Sequence, residues 1–186
     1  MEQKATALEC AQKIKLIILD VDGVLTDGGI YIGENGELYK PFSCRDGLGI
    51  SLWQRAGFKT AIITGRKSAQ LAFRAQELKI SSVYQGNSDK RAAYLDLKQQ
   101  HNLKDEEIAY IGDDLIDLPI MLQVGLPMAV ADAMPEVREV AKVVADFSGG
   151  HGAVRELIEF VLKAQGKWSA IIKDFYTTAA VEKLTQ

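Results

Sequence analysis

The sequence predicts an α/β protein built on a doubly wound parallel sheet, with a small β-hairpin flap and no separate cap domain. Three observations carry that expectation. Short β-branched runs alternate along the chain with longer segments of helical periodicity. The runs are continuously apolar rather than alternating, as strands buried on both faces should be. Acids, hydroxyls and glycines gather where these runs end.

The strand candidates, in order, are residues 15–20 (KLIILD), 59–64 (KTAIIT), 82–86 (SVYQG), 108–113 (IAYIGD), 126–131 (LPMAVA) and 142–146 (KVVAD). Helical patterns fill 46–57, 67–79, 88–101, 114–124, 133–141 and 152–165. In 67–79, Leu71, Arg74, Ala75 and Leu78 recur at helical spacing, and in 152–165 Val154, Leu157, Ile158, Val161 and Leu162 do so more regularly. Ser88 before Asp89, Asp132 ahead of Pro135 and Asp105 ahead of Glu106-Glu107 read as helix-start signals. Strand–helix–strand repetition implies parallel strands joined by right-handed crossovers.

One segment breaks the rhythm. In GGIYIGENGELYKPFS, two short strands, 30–32 and 38–42, flank a Glu-Asn-Gly-Glu turn, so a flap over about 29–43 should project beside the first strand's tip. The tail, about 166–186, carries Trp168, Ile171, Ile172, Phe175 and Tyr176, and so should pack on this subunit or on a neighbour.

At 186 residues and 47% hydrophobic, the chain suits one well-cored domain. A formal charge of −3, with lysines and arginines dispersed, gives no electrostatic case for nucleic acid or an anionic membrane. Apolar runs of a few residues are far below the roughly 20 that span a bilayer. The N-terminal stretch has no apolar segment after a basic start, so no secretory signal is expected. Two cysteines, Cys10 and Cys44, make no disulfide framework and lack metal-ligand spacing. A soluble cytoplasmic protein is expected.

Ligands of open α/β sheets bind outside the carboxyl ends of the strands. Here those ends read Asp20-Val21-Asp22-Gly23, Thr64-Gly65-Arg66, a glycine and polar stretch leading to Lys90, and Gly112-Asp113-Asp114 with Asp117 beyond. Carboxylates crowded on one rim repel one another unless a cation lies among them, and an all-oxygen set with few protein ligands suits Mg²⁺. Thr64 and Lys90 supply a hydroxyl and a point charge for phosphate oxygens. A metal, a cation and a nucleophilic carboxylate together equip a site for phosphoryl transfer through an aspartyl-phosphate.

The run Asp20-Val21-Asp22-Gly23-Val24-Leu25-Thr26, then Thr64, then Lys90, then Gly112-Asp113-Asp114-Leu115-Ile116-Asp117, resembles the four ordered motifs of the haloacid dehalogenase-like (HAD) phosphatases. With RDGLGI, TGR, AVADA, GGHGAVRE and AQGK, the chain is most similar to their capless sugar-acid branch, from Lys15 into the tail. The resemblance implies an HAD-like Rossmannoid fold and a Mg²⁺-dependent phosphomonoesterase. Asp20 would be the nucleophile and a metal ligand. Asp22 would be the general acid and then the base, its backbone carbonyl also meeting the metal, and Asp113 would complete the protein ligands. Asp114 and Asp117 would act through waters or by orienting Lys90, although Asp117 serves equally well as a helix cap ahead of Pro119. Thr64 and Lys90 would bind the phosphoryl group. Ser43, Cys44, Arg45, Asp46, Gly47, Ser51, Arg66, Arg74 and Lys90 match positions the branch uses for its substrate, although Arg74 also reads as a solvated charge and Cys44 as packing. His151, in a glycine loop, and His101, at a polar helix end, are not expected to be catalytic.

The implied substrate is 3-deoxy-D-manno-octulosonate 8-phosphate, a precursor for lipopolysaccharide, with a nine-carbon sialic or deaminated sialic acid phosphate as the alternative. The resemblance also implies a homotetramer in which tail and flap close a neighbouring site. Two readings from other classes compete. A phospho-receiver module shares the sheet, acids, threonine, lysine and Mg²⁺, but carries its acceptor aspartate on the third strand, where this chain has none. A catalytically idle assembly subunit would not need every motif acid.

Overall fold

The computed structural model describes residues 6–86 and 89–184, with side chains through Thr177. Six parallel strands form one sheet: β1 (Leu16–Leu19), β4 (Lys59–Thr64), β5 (Ser82–Gln85), β6 (Ile108–Gly112), β7 (Leu126–Ala129) and β8 (Val143–Val144). Their order is β5-β4-β1-β6-β7-β8, so the chain moves outward on one side of β1 and then returns to build on the other. That reversal puts the switch-point crevice at the carboxyl end of β1, between β4 and β6. In register, Leu19 stands opposite Ile62 of β4 and Ile111 of β6. Every residue of β1 and β6 is buried, which is why both read as unbroken apolar runs.

The hairpin β2 (Tyr31–Gly33) and β3 (Gly36–Tyr39) forms a separate two-stranded sheet. It is tighter than expected. Gly36, at φ +105°, opens β3 instead of sitting inside the turn, and Tyr31 stacks on Tyr39 with centroids 4.4 Å apart.

Helices α2 (Cys44–Arg55), α3 (Ala69–Glu77), α4 (Lys90–His101), α6 (Pro135–Val140) and α7 (Ala153–Ala164) match the expected segments with shifted ends. Side chains of Ser43, Ser68 and Asp89 cap the first three, while Ser88 lies outside the described residues. Three expectations change. Residues 114–124 do not form one helix. A 3₁₀ turn over Leu115–Asp117 precedes the short α5 (Leu118–Met121), because the Asp117 carboxylate folds back onto the N–H groups of Asp113 and Asp114. Asp132 does not cap α6, since its carboxylate accepts from the Gly149 N–H. Asp105 starts only a 3₁₀ turn, and its carboxylate instead accepts from Tyr94 and Lys98.

Two further helices were not anticipated. The Thr6–Glu9 capping box starts α1 (Ala7–Ala11), and the tail forms α8 (Trp168–Leu184). Trp168 and Ile171 pack against the protein's own core, and the Arg55 guanidinium lies 5.6 Å from the Phe175 ring centre. Helix α7 begins at Gly152, which has no side chain to cap with. Asp46 of α2 does that work from more than a hundred residues away, accepting from the N–H groups of Arg155 (2.8 Å) and Gly152 (3.3 Å). No helix among the described residues is long and apolar enough to cross a membrane.

Candidate active site

The first strand ends by turning sharply. The Val21 carbonyl accepts from the N–H groups of Val24, Leu25 and Thr26 and from the Thr26 hydroxyl, at 2.9–3.3 Å. Thr26 is fully buried, so it closes the loop rather than meeting a ligand. Gly23, at φ +87°, lies so close to Asp113 that a Cβ there would overlap the carboxylate. From the far side, Gly149 packs its backbone onto the Gly23 carbonyl so tightly that no side chain fits. The loop is thus pinned from two directions, with Asp20 and Asp22 at its root.

Lys90 organises the floor of the crevice. Its ammonium donates to Asp20 Oδ2 at 2.8 Å, Asp117 Oδ1 at 2.7 Å and the Tyr110 hydroxyl at 3.2 Å. The Tyr110 hydroxyl donates to the same Asp117 oxygen at 2.6 Å, and Asp117 Oδ2 accepts from the N–H groups of Asp113 (3.0 Å) and Asp114 (3.3 Å). Both oxygens of Asp117 are therefore engaged within the protein, whereas Asp113 Oδ1 is buried without a hydrogen-bond partner.

Ligand atoms of Asp20, Asp113 and Asp117 lie within 4.8 Å of one another. Three carboxylates against one ammonium leave the cluster short of positive charge. Burial first, then the Asp117 charge, pushes Asp20 up to about 7 despite Lys90. Burial and the charge of Asp20 push Asp113 up to about 8. Burial alone would pull Lys90 down, but Asp20 and Asp117 more than offset it and hold the ammonium above the usual lysine range. An unpartnered buried carboxylate oxygen inside an all-oxygen cluster fits a hard divalent cation held between Asp20 and Asp113.

The rim carries the remaining polar groups. Thr64 is buried at the end of β4, its hydroxyl accepting from the Arg66 N–H at 3.4 Å. Arg66 reaches to 3.8 Å from Asp22 Oδ2. The Asp22 carboxylate pairs with Lys40, which also lies 3.3 Å from Glu37. Asp114 is exposed and its carboxylate accepts from the Leu115 N–H, so it joins the Lys90 network through its backbone N–H and not its side chain.

Asp20, Asp22, Thr64, Arg66, Lys90, Asp113 and Asp117 thus converge at the crevice. The other substrate-binding candidates gather elsewhere, at the start of α2. Ser43 caps that helix, the Ser51 hydroxyl donates to the Gly47 carbonyl at 3.0 Å, and both oxygens of Asp46 are used on α7. Gly47 leaves room for the Arg74 guanidinium, which pairs with Glu77 at 2.7 Å and reaches the Ser43 carbonyl at 3.4 Å. Cys44 and Arg45 are exposed, so Cys44 is not packing. Cys44 and Arg74 share with Lys40, Phe42, Gln70 and Phe73 the wall of a cleft of about 620 Å³. The His151 ring nitrogen contacts the Gly149 carbonyl at 2.8 Å, a local loop contact.

Sequence reasoning missed three residues of this network. Tyr110 reads as a core aromatic inside an apolar strand, and Glu37 and Lys40 read as ordinary positions of a solvated hairpin. Nothing near them in sequence marks their partners.

Residues 71–157 match the model of the haloacid dehalogenase-like hydrolases. The chain is 48% identical over 163 residues to the 3-deoxy-D-manno-octulosonate 8-phosphate phosphatase KdsC of Escherichia coli (strain K12), covering 88% of this chain and 87% of that protein. It is similar to the crystal structure of 3-deoxy-D-manno-octulosonate 8-phosphate phosphatase from Yersinia pestis, with a TM-score of 0.85, 48% identity and 87% of each chain covered. It is also similar to that from Moraxella catarrhalis in complex with magnesium ion, phosphate ion and KDO molecule, with a TM-score of 0.88 and 40% identity over 91% of this chain and 97% of the other.

Proposed function

Given that the chain belongs to the haloacid dehalogenase-like hydrolases, we propose that it is a Mg²⁺-dependent phosphomonoesterase. It hydrolyses 3-deoxy-D-manno-octulosonate 8-phosphate to the free sugar acid and phosphate, a step toward lipopolysaccharide precursors. The observation that carries the substrate is 48% identity to a phosphatase of that name along nearly the whole chain. The buried Asp20–Lys90–Asp117 network beside Asp113 supports the chemistry.

In the first step an Asp20 carboxylate oxygen attacks phosphorus, the bond from phosphorus to the sugar oxygen breaks, and Asp22 gives that oxygen a proton. In the second, water loses a proton to Asp22 and attacks the aspartyl-phosphate, releasing phosphate and restoring Asp20. The carboxylates of Asp20 and Asp113 and the backbone carbonyl of Asp22 would hold Mg²⁺, which supplies charge neutralisation between phosphate and carboxylates. Lys90 and Thr64 bind the transferring phosphoryl group. Asp117 and Tyr110 keep Lys90 aimed, and Arg66, exposed at the mouth, meets the sugar acid.

The whole chain works as one hydrolase domain, with the flap at about 29–43 and the tail at about 166–186. It assembles as a homotetramer, a reading supported by apolar side chains exposed on the flap (Ile32, Leu38), on α3 (Phe73) and on the tail (Tyr176). In that assembly Arg74, on the wall of the cleft beside Phe42 and Phe73, lies toward a neighbouring site. A cytoplasmic location suits the two unpaired cysteines.

The test is phosphate release with Mg²⁺ from the eight-carbon acid phosphate, nine-carbon keto acid phosphates and simple sugar monophosphates, beside an Asp20→Asn control. We expect preference for the eight-carbon substrate and loss of turnover in the variant. Preference for a nine-carbon acid would replace the substrate, and unimpaired turnover by Asp20→Asn would remove the mechanism.

A further inference from the structure

Lys40 is a lysine where a flap should not bury one. It follows β3, yet its side chain is only 3% exposed. Burying an ammonium is costly unless acids surround it, and two do, Asp22 Oδ1 and Glu37 Oε1. Glu37 is fastened in turn to the body of the protein. Its carboxylate accepts from the Ser68 hydroxyl at the start of α3, its backbone carbonyl accepts from the Gln70 amide at 3.1 Å, and Arg66 lies 3.9 Å away. The hairpin is thereby docked on α3 through Glu37, and the docked hairpin delivers Lys40 to one oxygen of Asp22.

From this we infer that Lys40 is a positioning residue for Asp22, so that flap docking sets the geometry of proton transfer to the leaving group. The inference rests on the reading of Asp22 as general acid. With Oδ1 tied to Lys40, the carboxyl group cannot rotate freely, and Oδ2, on the Arg66 side, is the oxygen left for the departing alkoxide. As the phosphorus–oxygen bond breaks, the proton on Oδ2 passes to the leaving oxygen and the Asp22 carboxylate forms against the Lys40 ammonium. Fixed charges aimed where charge develops need no reorganisation during the reaction. Without Lys40, Asp22 would sample orientations in which that transfer fails.

The test uses leaving-group chemistry, because a weakly basic leaving group departs without a proton. Wild type, Lys40→Met, Lys40→Arg and Asp22→Asn are compared by kcat/KM, which reports steps through leaving-group departure, on phenyl phosphate, p-nitrophenyl phosphate and the eight-carbon sugar acid phosphate. The two aryl esters are nearly the same size, so differential loss between them reports proton donation rather than recognition. We expect Lys40→Met to lose about 10²-fold on phenyl phosphate and the sugar acid but only a few-fold on p-nitrophenyl phosphate. Lys40→Arg should recover part of the loss, and a Mg²⁺-induced rise in melting temperature should be retained as evidence of an intact cluster. Equal losses on both aryl esters would overturn the inference, as would a loss confined to the sugar acid. Should Asp22→Asn also fail to discriminate between the aryl esters, the general-acid reading itself falls. If it discriminates and Lys40→Met does not, only the role of Lys40 falls.

Discussion

At the scale of single residues, Asp117 is the most constrained group in the crevice. It is fully buried, and its two oxygens take Lys90, Tyr110 and two backbone N–H groups. An amide there would turn an NH₂ toward donors on one side or the other. We expect Asp117→Asn to cost on the order of 3 kcal/mol, as removal of one partner from a buried ion pair does. Turnover should fall about 10–100-fold because Lys90 loses its anchor. Urea unfolding and steady-state kinetics check both. Asp20 and Asp113 make a second expectation. Folded values near 7 and 8 lie above the ordinary 3.8, so in metal-free protein their stabilising contribution is complete below about pH 3.8 and is lost as pH rises through 7 to 8. Mg²⁺ binds the ionised pair, so it should raise the melting temperature more at pH 8.5 than at pH 5.5, measured against EDTA. An equal rise at both would separate the cation from these carboxylates.

At the scale of elements, connections that hold the site cross long stretches of chain. Asp46 caps α7 across the α2–α7 contact, and Asp46→Ala should cost about 1–2 kcal/mol in chemical denaturation, the range for a lost helix cap. The loop before α7 presses on the catalytic loop at Gly149, where a Cβ would collide with the Gly23 carbonyl. Gly149→Ala should destabilise by about 1–3 kcal/mol. Because it displaces the loop between Asp22 and Thr26, turnover should fall as well. A melt shift without loss of activity would show that the loop absorbs the strain elsewhere.

At the scale of the whole molecule, the open crevice and the exposed apolar flap belong to one question. Among the described residues no separate domain covers the crevice, so water must be excluded by other means, and in the proposed assembly the flap and α8 of a neighbouring subunit would supply it. Truncation after Gly166 removes all of α8, including Trp168 and Ile171, which pack on this chain's own core. We expect light scattering to report a smaller assembly and turnover to fall, with circular dichroism verifying that the sheet remains folded. Unchanged mass and unchanged turnover would remove the tail from both roles.

The residues at the strand ends were legible in sequence because they follow from local rules. An apolar run must stop where it leaves the sheet, and acids, glycines and hydroxyls mark that point whatever the rest of the chain does. The alternation of strands and helices, the hairpin and the Asp20-to-Asp117 series therefore stand in the order read from the sequence by itself. Only the tertiary structure decided that β1 lies between β4 and β6, that Asp46 serves a helix more than a hundred residues later, and that Lys40 meets Asp22 across 18 residues while Glu37 meets Ser68 across 31. The difference is one of range. Periodicity, capping and turn chemistry act over a few neighbouring residues and leave a signature there. The meeting of two buried charges is settled by how whole elements pack, and neither partner's surroundings in the chain record it.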